Sequence, residues 1–338
     1  MKKFAMITLV LILALSLLFA FVACDKDQQQ QQQQGEGQSL DPSGGGNLPD
    51  INVSIKTPTG APSLALGALF NGLTTVDKLN VNYEVTSGSA VQAAVTTGNC
   101  DFAILPTFAG VQLSMRLGTY QLLATTSWGN LYFVTTDASI VSLEDSDSLD
   151  AFLAQFEGKH IDTIGGGKVD VAVKYILDQA DVNYDMQAYE DASTITPLLK
   201  TGASRYAILG EPAATAATAA VQGARIVGSV AAMWRETTGV DFPQASIFVR
   251  KEFADANPQA VLAFTIGASA SIDYFNASAA NATEVANSLS MNGTVVGQCY
   301  PAIAQRYVSS SEAKESVLTF MSILGVEIGE EQAAGLFR

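Results

Sequence analysis

The sequence predicts an α/β protein with parallel strands, its chain divided into two similar segments. Two observations carry that expectation. Apolar runs of strand length alternate with longer, helix-like runs, separated by short polar turns. The alternation also occurs twice, and in both halves strands run into loops rich in glycine, serine or proline.

In the first half, Ile51, Val53 and Ile55 repeat with a period of two and mark a strand. Thr57-Pro58-Thr59-Gly60-Ala61-Pro62-Ser63 follows as a turn, and Leu64 to Leu73 reads as a buried helix. Val81 to Val85 is a strand that ends in Thr86-Ser87-Gly88-Ser89, and Ala90 to Thr97 is a helix. Phe102 to Leu105 is a buried strand stopping at Pro106-Thr107, followed by strands at Gln121 to Thr126 and Tyr132 to Thr135. The second half repeats the pattern. Ile161 to Ile164 is a strand running into Gly165-Gly166-Gly167, and Val169 to Ala180 is an amphipathic helix. Asp185 to Tyr189, Tyr206 to Leu209, Arg225 to Val227 and Gln244 to Arg250 are strands, with helices at Ala192 to Lys200 and from Ala213 through Ala220. The remainder reads as helical over 258–276, 279–289, 301–308 and 312–324, with Pro258 in a first turn and Gly325 after a last one.

Ahead of this lies a different kind of sequence. Lys2 and Lys3 precede an apolar run from Phe4 to Ala23, broken only by Thr8 and Ser16. A positive start, an apolar core and small residues at its end describe a secretory signal over 1–23. The run is also long enough to span a bilayer, but it stops at Cys24 and no positive cluster follows to fix a spanning helix. Phe21-Val22-Ala23-Cys24 resembles a bacterial lipoprotein box, with Phe21 where leucine is usual. The resemblance implies cleavage before Cys24 and lipid attachment to it. Residues 24–49, with Gln28 to Gln34 and the glycines that follow, have nothing to bury and read as a disordered linker. A flexible tether of about 25 residues spans roughly 25–30 Å.

Composition narrows the function. The 338 residues are 48% hydrophobic and 15% charged, which suits a globular chain long enough for two cores. A net charge of −15 argues against nucleic acid, which needs a basic face. Beyond Cys24 only Cys100 and Cys299 remain, either paired or buried as separate thiols. There is one histidine, His160, and no cysteine pair with metal-ligand spacing, so neither a metal nor histidine-dependent catalysis is expected. Gly165–Gly167 lacks dinucleotide-binding spacing and no phosphate-binding Gly-Lys-Ser/Thr exists, so no cofactor is expected.

In open α/β sheets ligands bind at the carboxyl ends of strands. Thr59, Gly60, Ala61, Pro62 and Ser63 occupy one such end, Ser87, Gly88 and Ser89 a second, and Gly166, Gly167 and Lys168 a third. Free amides at a helix start favour a negative or strongly polar group. Each loop alone is also an ordinary turn and helix cap. Glu211, before Pro212, could hold a ligand amine or ring N–H, or cap the helix after it. Trp128 could stack on a ligand or pack in the core, and Trp234 reads as interlobe or surface packing.

Pro58-Thr59-Gly60-Ala61-Pro62-Ser63, Asp101-Phe102-Ala103-Ile104-Leu105-Pro106, Gly165–Gly167 and Ile208-Leu209-Gly210-Glu211-Pro212-Ala213 resemble solute-binding proteins of ABC importers, in particular the SsuA/TauA-like group. The likeness runs from about residue 51 to about 325. It implies an α/β, two-lobed type II periplasmic-binding-protein fold with a mixed sheet in each lobe, lobe 1 at 51–135 plus 242–338, lobe 2 at 136–241, and a ligand cleft between them. It further implies a monomer that closes on a small molecule and passes it to a membrane permease with its ATPase. The implied ligand residues add Pro106 and Thr107 to the loops above. Group members bind nitrate, sulfonates, taurine or pyrimidine precursors of thiamine. Here Lys168 is balanced by Glu211, which leaves a neutral, zwitterionic or ring-bearing ligand open beside an anion. An enzyme on the same scaffold, resembling thiamine-pyrimidine synthase, and a lipoprotein sensor for a membrane receptor are the alternatives.

Overall fold

β1 (Ile51–Pro58) begins the first sheet of the computed structural model, which describes residues 51–76, 79–164, 169–189 and 191–338. The expected signal, Cys24, the linker and the loop Gly165–Lys168 lie outside the described residues. β1 buries Val53, Ile55 and Thr57 on one face, as its alternation requires. α1 (Ala61–Phe70), β2 (Leu79–Thr86), α2 (Gly88–Thr97), β3 (Phe102–Pro106), α3 (Thr107–Leu117) and β4 (Tyr120–Ser127) follow. β1 pairs in parallel with β2 and β3. β4 is buried along its whole length, as a strand covered on both faces should be. α3 was not anticipated from the sequence. It packs Gly110 against β10 (Ala245–Arg250) so closely that a Cβ there would run into the Phe248 ring.

The second sheet is made by β5 (Leu131–Thr135), β6 (Lys159–Ile164), β7 (Tyr184–Tyr189), β8 (Tyr206–Gly210) and β9 (Arg225–Ser229). Its helices are α4 (Leu149–Ala154), α5 (Val169–Gln179), α6 (Ala192–Thr201), α7 (Ala213–Ala220) and α8 (Val230–Thr238). The strand order is β7-β6-β8-β5-β9, and the first sheet contains β2-β1-β3-β10-β4. Each half thus places its second, first, third and fourth strands alike and receives one antiparallel strand between the third and fourth. That inserted strand is exchanged. β5 follows β4 directly yet joins the second sheet, and β10 follows α8 yet joins the first. The chain therefore crosses between lobes at 128–130 and again at 239–244. The expected end of the first stretch of lobe 1 at residue 135 is corrected: residues 131–135 pair with β8 and β9. An apolar run such as Leu131 to Val134 suits either sheet, and periodicity does not reveal its partners.

The C-terminal part comprises α9 (Lys251–Ala256), α10 (Pro258–Asn276), α11 (Ala279–Ser288), α12 (Gly293–Cys299), β11 (Gln305–Ser309), α13 (Ser310–Ile323) and α14 (Glu330–Leu336). The helix expected over 301–308 is also corrected. A short 3-10 turn at Tyr300–Ile303 ends at Ala304, whose φ of 56° is left-handed, and β11 then pairs antiparallel with β4. Tyr307 and Val308 favour that extended course. Trp234 of α8 is fully buried against Tyr175, Phe242 and Phe320, so α5, the second crossing and α13 share one aromatic cluster. Cys100 and Cys299 are separate buried thiols. Among the described residues no helix is long and apolar enough to cross a membrane.

Candidate functional site

A cavity of about 510 Å³ opens where carboxyl ends of strands from both sheets meet the two crossings. From the first lobe come Thr59, Gly60, Ala61 and Pro62, between β1 and α1. Gly60 has a φ of 100°, which only glycine adopts without strain, and the turn it makes leaves α1 without a side-chain cap. Ser63 does not reach the cavity; it is buried and its hydroxyl donates to the Gly60 carbonyl at 2.8 Å. The α11–α12 turn adds Met291, Asn292 and Val295, and the Asn292 side chain accepts from the Val295 amide as cap of α12.

From the second lobe come Ile164 at the end of β6, Asp191 and Ala192 at the start of α6, and Gly210 to Ala213 between β8 and α7. Asp191 caps α6 by accepting from Ser193 N at 2.7 Å. Glu211 is 3% exposed, and the peptide bond to Pro212 is cis. The Glu211 carboxylate accepts from Thr215 N at 3.0 Å and from Thr215 Oγ1 at 2.8 Å, so it caps α7 while facing the cavity. Burial, followed by the negative charge of Glu211, pushes the Tyr132 hydroxyl and the Cys299 thiol each up to about 12, and both stay neutral at physiological pH.

The crossings supply Asn130, Leu131 and Gln244. Asn130 N donates to Gln244 Oε1 at 2.8 Å, Glu211 N donates to Asn130 O at 2.9 Å, and Asn130 Nδ2 donates to Glu211 O at 2.9 Å. The wall is apolar over most of its extent. Its charged members, Asp191 and Glu211, are both acidic, and none of the described lining residues is cationic.

Thr59, Gly60, Ala61, Pro62 and Glu211, five of the residues singled out in the sequence, thus line the same cavity. Other candidates stand elsewhere. Ser87 caps α2 by accepting from Ala90 N at 3.2 Å, and Ser87-Gly88-Ser89 does not line the cavity. Thr107 is buried, with its hydroxyl 2.8 Å from Ser246 Oγ; it supports the site from behind, donating its N–H to the Gln244 carbonyl at 3.0 Å. Pro106 precedes it and is likewise off the wall. Trp128 is buried: Nε1 donates to Arg306 O at 3.0 Å and the Arg306 guanidinium covers the ring at 4.6 Å, so it packs and does not line the cavity. Gly166, Gly167 and Lys168 lie outside the described residues. Sequence reasoning missed Asn130, Gln244, Asp191 and Asn292. The cap position of Asp191 before Ala192 was a readable signal; the roles of Asn130 and Gln244 depend on where the chain crosses.

No family model matches the chain, and no curated protein matches it. Solved structures do. An ABC transporter protein from Parabacteroides distasonis superposes with a TM-score of 0.67 at 19% identity, over 85% of this chain and 96% of its own. The periplasmic aliphatic sulphonate-binding protein SsuA from Escherichia coli gives 0.65 at 10% identity, over 86% and 92%. The periplasmic nitrate-binding protein NrtA from Synechocystis gives 0.58 at 14% identity, over 85% and 86%. At these identities the likeness carries the fold: two mixed-sheet lobes of the type II periplasmic-binding-protein architecture.

Proposed function

We propose that the chain is the extracytoplasmic solute-binding component of an ABC importer, a binder and not an enzyme. It captures a small polar or ring-bearing molecule by closing its lobes and delivers it to a membrane permease driven by an ATPase. The observation that carries this reading is the cavity, whose wall takes residues from both lobes and from both crossings. Rotation about two short crossings changes such a space without unfolding either sheet. The sulphonate- and nitrate-binding proteins of like fold support it, as does the predicted export signal with a tether anchored at Cys24. His160, the one histidine, stands away from the cavity wall, which favours binding over histidine chemistry.

The test is native mass spectrometry of the mature chain carrying Cys24→Ser, followed by thermal melting and small-angle scattering with the recovered solute. A co-purifying small molecule that raises the melting temperature and reduces the radius of gyration is the expected result. Ligand at 100 times Kd stabilises by about 2.7 kcal/mol. Absence of any retained or added solute that shifts melting or compactness overturns the reading.

A further inference from the structure

Asn130 is 3% exposed and stands on the cavity wall. The bond from its Nδ2 to the Glu211 carbonyl settles which end of the amide is oxygen. That oxygen, Oδ1, is buried and takes no hydrogen bond among the described residues. A buried acceptor without a donor is costly, so a group that persists in this state asks for a partner. Gly210 lies beside it on the same wall: a Cβ there would stand 3.6 Å from Oδ1. That is ordinary contact distance, so glycine at this position keeps a side chain from packing against the oxygen. Among the described residues the charged members of the wall are Glu211 and Asp191, and its apolar members include Pro62, Leu131, Ile164 and Val295.

From the free acceptor, the sign of the charge and the apolar wall together, we infer that the solute carries a protonated amine, bonded to Asn130 Oδ1 beside Glu211, on a compact apolar or aromatic body. The inference rests on the cavity being a solute site, as proposed above. An amine brings both an N–H for Oδ1 and a charge opposite to that of the two acids. A carboxylate or sulfonate head brings neither, and an alcohol brings only the donor. Glu211 serves two ends here, because a carboxylate has about four lone-pair sites and Thr215 uses two of them.

The experiment uses matched probes on the mature Cys24→Ser chain: phenethylamine, 2-phenylethanol and phenylacetate, with butylamine, butanol and butyrate as a second set. Calorimetry and melting should rank each amine above its alcohol and its carboxylate. Glu211→Gln should weaken amine binding about tenfold and leave the alcohols unchanged. Gly210→Ala, whose new Cβ meets nothing nearer than 3.6 Å, should fold normally and weaken the amines by crowding Oδ1. Asn130→Leu should do the same, with Gly210→Ala as the variant that answers if it folds poorly. Preference for the carboxylates, or amine affinity indifferent to Glu211→Gln, overturns the amine assignment while leaving the solute-binding reading intact. Failure of every probe, joined to the absence of any co-purifying solute, overturns both.

Discussion

The backbone N–H of Asn130 donates to Oε1 of Gln244 at 2.8 Å, and this bond ties the first crossing between the lobes to the second. The two residues are 114 apart in sequence. Both line the cavity, so the chain segments that cross between the lobes also form part of its wall. Gln244→Leu removes the acceptor and leaves the Asn130 amide without its partner. The expected loss is about 1–2 kcal/mol in urea unfolding. Gln244→Glu retains an acceptor oxygen and should lose less. Equal stability of Gln244→Leu and the parent chain would show that the bond does not couple the crossings.

Gly110 lets α3 lie flat on the first sheet. A methyl group there would overlap the Phe248 ring, and both residues are buried. Overpacking of this kind costs about 1–3 kcal/mol. Gly110→Ala should therefore lower the melting temperature, and Phe248→Leu in the same chain should recover part of the loss by withdrawing the ring edge. A double-mutant cycle with no coupling energy would refute the contact.

These two contacts also mark what could and could not be read from the chain. β1 was legible because Ile51, Val53 and Ile55 alternate, although the strand runs on through Thr57 to Pro58, and β3 because four apolar residues end at Pro106. α3 was not: it begins directly after a proline and carries Gly110, local signs of a break that packing against Phe248 overrides. The turn at Gly60 and the bend at Glu211-Pro212 could be assigned to a site, since glycine and proline after a strand are local signals. Asn130 and Gln244 could not. Their meaning comes from the exchange of β5 and β10 between sheets, a pairing set by residues more than seventy positions away.

The export reading makes a separate prediction. If Cys24 carries the lipid, Cys24→Ser should leave the mature protein soluble outside the cytoplasmic membrane, because one acyl chain or none holds a protein only marginally. Fractionation with an antibody to the C-terminal part reads the outcome. Unchanged membrane retention would point instead to an uncleaved apolar helix over residues 4–23.

His160 gives the last prediction, through its two carboxylate neighbours. Nδ1 lies 2.6 Å from Asp185 Oδ2 and Nε2 lies 3.1 Å from Asp162 Oδ1. His160 and Asp185 are also paired in register between β6 and β7, so the ring bridges the two strands. The hydrogen bond to Asp185 raises the imidazole pKa above its ordinary 6.5; desolvation opposes this and the charge of Asp162 adds to it. A pKa raised in the folded state means that the folded chain holds the proton more tightly than the unfolded one. The stabilisation is therefore complete below about pH 6.5 and is lost as pH rises through the folded value. The side chain is 47% exposed, so solvent screening keeps the effect below about 1 kcal/mol. His160→Gln should remove this part of the pH dependence, read as melting temperatures on either side of the titration, and should leave solute affinity unchanged because His160 is off the cavity wall. An imidazole that titrates at or below its ordinary value by NMR, or equal pH slopes for the two chains, would contradict the bridge.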